Sequence, residues 1–240
     1  RYADLLNGYI FDGKQVIMEK QLYSQDTRET GKSQKDSWGV QKRKKIQRFR
    51  DGVKRVAFGT SFTIIALEHQ DKIHRGMPVR VMVEDALSYD RQMKKLQKQN
   101  REKGVLNKKD YISSLTDTDV LTPVVTIVIY YGEEPWNNSK DIYDILAHKD
   151  LPEEIKIFIN HYPIHVLDVR RFTNEECFQT DVREVFGFIR RSLDKEAVKQ
   201  YLKEREEQFT NIDEDAYDLI AAMTDTKQLQ MVKDKYRSEE

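Results

Sequence analysis

Asp51 opens the run "DGVKRVAF", and Glu68, His69 and Gln70 close the run "SFTIIALEHQ". Side chains on a strand alternate between its faces, so Glu68 and Gln70 point one way while Leu67 and His69 point the other. Ile64 and Ala66 lie earlier on the Glu68 side, so an apolar sheet face gives way to a carboxylate and an amide at one end. Strand ends of this kind are where α/β sheets commonly hold ligands. An antiparallel hairpin between the two runs sets the start of the first beside the end of the second, which makes Asp51 a neighbour of Glu68. Two close carboxylates repel unless they share a proton or a cation, and a hard divalent ion such as Mg²⁺ suits oxygen ligands. The pair reads as a candidate metal site with the Gln70 amide nearby. The same acids also fit solvated turn residues at a strand entry and a strand exit.

The elements that must position these residues follow from spacing. "YADLLNGYIF" repeats Leu5, Leu6, Tyr9 and Ile10 at helical intervals, which predicts a short helix ending near Gly13. From Gln21 to Arg50 the chain is polar, and it reads as a mobile loop followed by a basic approach, "KRKKIQRFR". Two strands are expected at 53–58 and 62–70, joined by Gly59, Thr60 and Ser61. Pro78 stands where a helix can begin, and Val81, Met82, Asp85, Tyr89 and Met93 carry its pattern towards Gly104. "TPVVTIVIYYG" is the most β-branched run and predicts a central strand over 124–131, with a further strand over 164–172. A loop and a short helix fill 138–160, and from about Gln179 the pattern becomes helical. The order predicts an α/β core with a helical C-terminal region, and no repeat points to a solenoid.

The chain has 240 residues, enough for one large domain or a domain with an appendage. Lys plus Arg and Asp plus Glu are both 41, so net charge favours no polyanionic partner and local charge must carry that case. Charged residues at 34% and apolar residues at 38% predict a folded, soluble chain. The single cysteine, Cys177, fits a reducing compartment and a cytoplasmic location. No apolar run approaches the roughly 20 residues needed to cross a bilayer. A chain that begins at Arg1 and not at Met is expected to have something upstream of it.

Other chemistries find little support. The five histidines, at 69, 74, 148, 161 and 165, lack the paired helical spacing of a zinc protease, and one cysteine cannot build a thiolate cluster. Neither a phosphate-binding glycine loop nor a nucleophile elbow is present. The basic run from Lys42 to Arg50 could neutralise DNA phosphates or form a solvated loop face. Arg80 and Tyr89 could line the same cleft, although packing of a helix on a sheet explains Tyr89 better.

Asp51 followed by Glu68-His69-Gln70 resembles the PD-(D/E)XK nuclease superfamily, in which an acid opens one strand and an acid-x-lysine closes its hairpin partner. More narrowly, "RYADLLNGYIFDG", "IQRFRDGVKR", "IIALEHQDKIHRGMPVRVMVEDALSY" and "TPVVTIVIYYGEEPW" resemble the bacterial recombination-promoting nuclease and putative transposase family. The resemblance spans roughly residues 1–172. It implies a restriction-endonuclease-like mixed sheet flanked by helices, with a nuclease-like core over 1–172 and a helical C-terminal extension over 173–240. It implies a Mg²⁺-dependent endonuclease acting on DNA and linked to mobile elements or recombination. Asp51 and Glu68 would be metal ligands, joined by the backbone carbonyl of His69, and Gln70 would stand at the usual lysine position. Gln70 carries no charge and takes no proton, so the chain departs from the pattern there. Asp4, and less so Asn7, are the first-helix candidates to complete such a site. The terminal helices are open to three uses: covering the sheet, homodimerisation or DNA contact. The rival expectation is a nuclease-like module that binds nucleic acid or protein without cutting.

Overall fold

The computed structural model describes residues 1–25, 28–32, 45–49, 52–59 and 61–224. In chain order these form α1 (Tyr2–Phe11), β1 (Leu22–Ser24), β2 (Arg28–Lys32), β3 (Lys45–Phe49), β4 (Gly52–Phe58), β5 (Ser61–Gln70), α2 (Met77–Lys103), β6 (Val124–Tyr130), α3 (Glu153–Lys156) and β7 (His165–Asp168). Four helices follow: α4 (Val182–Arg191), α5 (Lys195–Glu204), α6 (Glu206–Thr210) and α7 (Glu214–Thr224). Five strands make one open sheet in the order β1-β4-β5-β6-β7, and β2 and β3 pair by themselves. β1, β4 and β5 run antiparallel, while β5, β6 and β7 are parallel, so the sheet is mixed. This is the expected α/β architecture with a helical C-terminal region.

The expected hairpin forms, with Phe58 opposite Ser61 at its turn and Gly52 opposite Leu67 at its open end. Gly59 holds φ near +61°, a conformation that costs glycine nothing. β5 then crosses through α2 to its parallel neighbour β6. Pro78 lies in the first turn of α2, where its missing N–H has no helical acceptor to lose, and Gly104 ends the helix in the left-handed region.

Alternation along β5 sorts the core into two layers. Ile65 and Leu67 face α1, α4 and α7, where they pack with Leu6, Ile127, Phe178, Ile189 and Ile220. Ile64 and Ala66 face the opposite side with Val53. On that side Val128 and Tyr130 of β6 meet Met77 and Val81 of α2. The C-terminal helices α4 and α7 thus share a core with the sheet.

Two expectations change. Part of the stretch read as loop from Gln21 to Arg50 is strand: β1 pairs with β4, Leu22 opposite Val56, and β2 pairs with β3. Tyr23 and Ser24 are exposed, so β1 is held by its backbone ladder and shows no apolar alternation. The strand expected over 164–172 stops at Asp168, opposite Tyr130, and Val169–Arg171 tighten into a 3-10 turn. That turn sends Arg170 to the carbonyls of Tyr131, at 2.7 Å, and Ile189, at 2.6 Å. Arg171 donates to the carbonyls of Gly132, Glu133 and Glu134. Backbone acceptors that would otherwise leave the sheet unsatisfied are thereby paired.

The "YYGEEPW" segment after β6 is a structural lock. The Tyr130 hydroxyl donates to the Glu134 carbonyl at 2.6 Å, and its ring meets Trp136 edge-on at 5.2 Å. Burial, then the charge of Asp168, pushes the Tyr130 hydroxyl above its ordinary pKa, which keeps it a donor. A side chain at Gly132 would come within 2.4 Å of the Tyr130 oxygen and the Asp71 carbonyl, so only glycine fits.

Candidate active site between the sheet and helix α2

Glu68 is on β5, a central strand, opposite Val128 of β6, and its side chain faces α2 with no solvent exposure. Burying a carboxylate costs several kcal/mol, on the order of the whole stability of a domain, unless it is paired. The first turn of α2 supplies the pairing. Arg80 Nη2 donates to Glu68 Oε2 at 2.8 Å, and Arg80 Nε donates to Glu84 Oε1 at 3.2 Å. Glu84 is fully buried as well. One guanidinium therefore serves two buried acids.

Asp85 lies beside them and is nearly as buried. It accepts a hydrogen bond from Thr126 Oγ1 on β6 and another from the Tyr162 hydroxyl, each at 2.6 Å. These bonds tie helix, sheet and the 138–164 segment together, so Asp85 is a structural anchor at the edge of the site. Tyr89 plays a packing role too: its hydroxyl oxygen accepts the Val124 N–H at 3.0 Å.

Gln70 shares the Glu68 face by alternation, as expected. Its Nε2 donates to the carbonyl oxygen of His69 at 2.6 Å. The carbonyl of Gln70 accepts from Tyr131 on the β6 side. Successive strand carbonyls point to opposite sides, so the His69 carbonyl points to the β4 side. The His69 ring is on the other face of the sheet, where it borders an apolar cavity of about 320 Å³ with Tyr2, Leu5 and Phe186. Only the backbone of His69 belongs to the candidate site.

Asp51 lies outside the described residues. Its chain neighbour Gly52 opposes Leu67, next to Glu68. Lys42–Lys44 and Arg50 of the basic run are also outside them. Lys45–Phe49 form strand β3.

The first-helix candidates do not join Glu68. Asp4 is buried on the opposite layer, where it accepts from the backbone of Gln179, at 2.9 Å, and of Thr180, at 2.8 Å. It also accepts from the Thr180 hydroxyl, and so anchors the turn before α4. Asn7 is held by Ile17, donating to its carbonyl and accepting from its N–H, both at 2.8 Å. Helix α1 contributes Leu6 to the same core as Leu67, the neighbour whose side chain points away from Glu68, so acids on α1 are separated from Glu68 by the sheet.

Sequence reasoning missed Glu84 and Asp85 as site residues. Asp85 stood on the helical stripe with Val81, and a carboxylate on an apolar stripe signals a buried partner.

Among the described residues, no three His, Cys, Asp or Glu side chains come together to hold a metal ion, and no helix is long and apolar enough to cross a membrane. No curated protein and no solved structure matches the chain significantly. A family model described as "Putative transposase, YhgA-like" matches residues 59–219, from the turn of the β4–β5 hairpin to the middle of α7. That match takes in Glu68, Arg80, Glu84 and Asp85, and it covers well over half of the sequence. The chain belongs to this family, "Putative transposase, YhgA-like".

Proposed function

We propose that the protein is a Mg²⁺-dependent DNA endonuclease of the PD-(D/E)XK type, with its centre at the open end of the β4–β5 hairpin. One observation carries this reading: Glu68 is a fully buried carboxylate on a central strand, one residue from the last described pair of the ladder, Gly52 with Leu67. The family's name, with its reference to transposition, agrees with chemistry on DNA and with a link to mobile elements.

The described donors are of the right kind for a hard cation, a carboxylate and a backbone carbonyl. A third oxygen would come from Asp51, so that Asp51, Glu68 and the His69 carbonyl hold the ion. Bound there, Mg²⁺ would act as a Lewis acid on a phosphodiester and activate water as the nucleophile. Gln70, already hydrogen-bonded to the His69 carbonyl, would fix that carbonyl and orient a water or a phosphate oxygen. The positive charge that lysine brings to an acid-x-lysine pattern would come from Arg80, at 2.8 Å from Glu68. A guanidinium remains protonated, so Arg80 stabilises charge and does not act as a base.

Supercoiled plasmid incubated with the protein and Mg²⁺ is expected to be nicked, with nicking abolished by EDTA and in Asp51→Ala. Equal nicking with and without divalent metal would remove the metal from the mechanism. Gln70 at the lysine position favours a second reading, a nuclease-like module that binds without cutting. Such a module needs no divalent ion, so a calorimetric titration with Mn²⁺ that releases no binding heat would favour it.

A further inference from the structure

We propose that a second feature, a cleft of about 430 Å³ along α2, is a track for the phosphodiester backbone of DNA. This proposal rests on the nucleic-acid reading above and concerns binding, not cleavage. The floor is Val53, Arg55 and Ile64 of β4 and β5, and the wall is α2 with Ser88, Arg91 and Lys95. Its inner end adjoins the candidate site: Val53 pairs with Ala66, two residues before Glu68, and Ser88 is one helical turn beyond Glu84. Ile64 and Glu68 lie on one face of β5, about 13 Å apart at roughly 3.3 Å per residue. The track and the buried acid are thus continuous along one strand.

Among the described residues that line the cleft, the charged ones are Arg55, Arg91 and Lys95, all basic, although the whole chain balances 41 cations against 41 anions. Arg55 is held in place by stacking its guanidinium 3.6 Å from the centre of the Phe62 ring. Gln92 fixes the far wall, its amide bonded to both the carbonyl and the N–H of Thr122. Among the described residues no aromatic side chain lines the cleft, so these residues offer bases no stacking platform. Cations without base-reading or stacking groups suit phosphates, which position a strand without reading its sequence.

The experiment is fluorescence anisotropy of a labelled DNA duplex in EDTA, over a salt series. Each phosphate contact contributes about 0.9 to the slope of log affinity against log salt. The triple variant Arg55→Gln, Arg91→Gln, Lys95→Gln is expected to lose roughly 2 to 3 from that slope and to bind at least about tenfold more weakly at moderate salt. The loss should be equal for unrelated duplex sequences. Lys95→Glu alone, at an exposed helix position, must weaken binding several-fold, which keeps the test decisive if the triple variant unfolds. Unchanged affinity and slope in these variants, or no binding by the wild type, would overturn the track. Failure of the nuclease reading looks different: the wild type would bind the duplex in this salt-dependent way and never cut it.

Discussion

Glu68→Gln should abolish Mg²⁺-dependent plasmid nicking while leaving the melting temperature equal to that of the wild type or higher. The amide keeps the volume of the side chain and removes a charge that is entirely withdrawn from water. Exchanging a buried ionic group for a neutral one of similar shape is often neutral or stabilising. Arg80 keeps Glu84 at 3.2 Å and part of its own surface in water after the exchange. On the proposed nuclease reading Glu68 is kept for its oxygens at a cost in stability, the behaviour expected of a functional residue. Activity assays and calorimetric melting on the same preparation check both halves. A large drop in melting temperature would instead assign Glu68 to structure.

Arg80→Ala has the largest expected effect on stability, a loss of about 3 kcal/mol. Removing one member of a buried ion pair is strongly destabilising, and here two fully buried carboxylates, Glu68 and Glu84, lose the same guanidinium. The figure stands at the low end of the usual range because the Arg80 side chain is 29% exposed. Urea denaturation should show a lower midpoint at constant slope. In the Glu68→Gln background the same substitution should cost at least about 1 kcal/mol less, since the two residues are coupled. Additive losses in this double-mutant cycle would deny the pairing.

Much of this arrangement was legible in the sequence because it is periodic. Ile64, Ala66, Glu68 and Gln70 alternate with Ile65, Leu67 and His69, and the two layers of the core separate those residues as strand geometry requires. Pro78 and Gly104 bracket α2 within a residue of its observed ends. Strand β1 was hidden because a strand held by backbone pairing, with Tyr23 and Ser24 in solvent, carries no apolar pattern, and the sequences of β2 and β3 are mostly polar or basic with no apolar alternation. Glu84 and Asp85 were hidden for another reason. In a chain with 34% charged residues, acids on a helix resemble a solvated face, and their burial depends on where β6 and Tyr162 come to rest. Asp4 was a misleading acid: its position in the first helix fitted a site, while the sheet places it in the opposite layer, bonded to Thr180.

The most direct test of the account is a crystal soaked in Mn²⁺ and examined by anomalous diffraction. A metal held by the two acids gives a single peak within ligand distance of carboxylate oxygens from both Asp51 and Glu68, with the His69 carbonyl beside it. Density that leaves Glu68 bound to Arg80 alone, with no ion between the two acids, would contradict it.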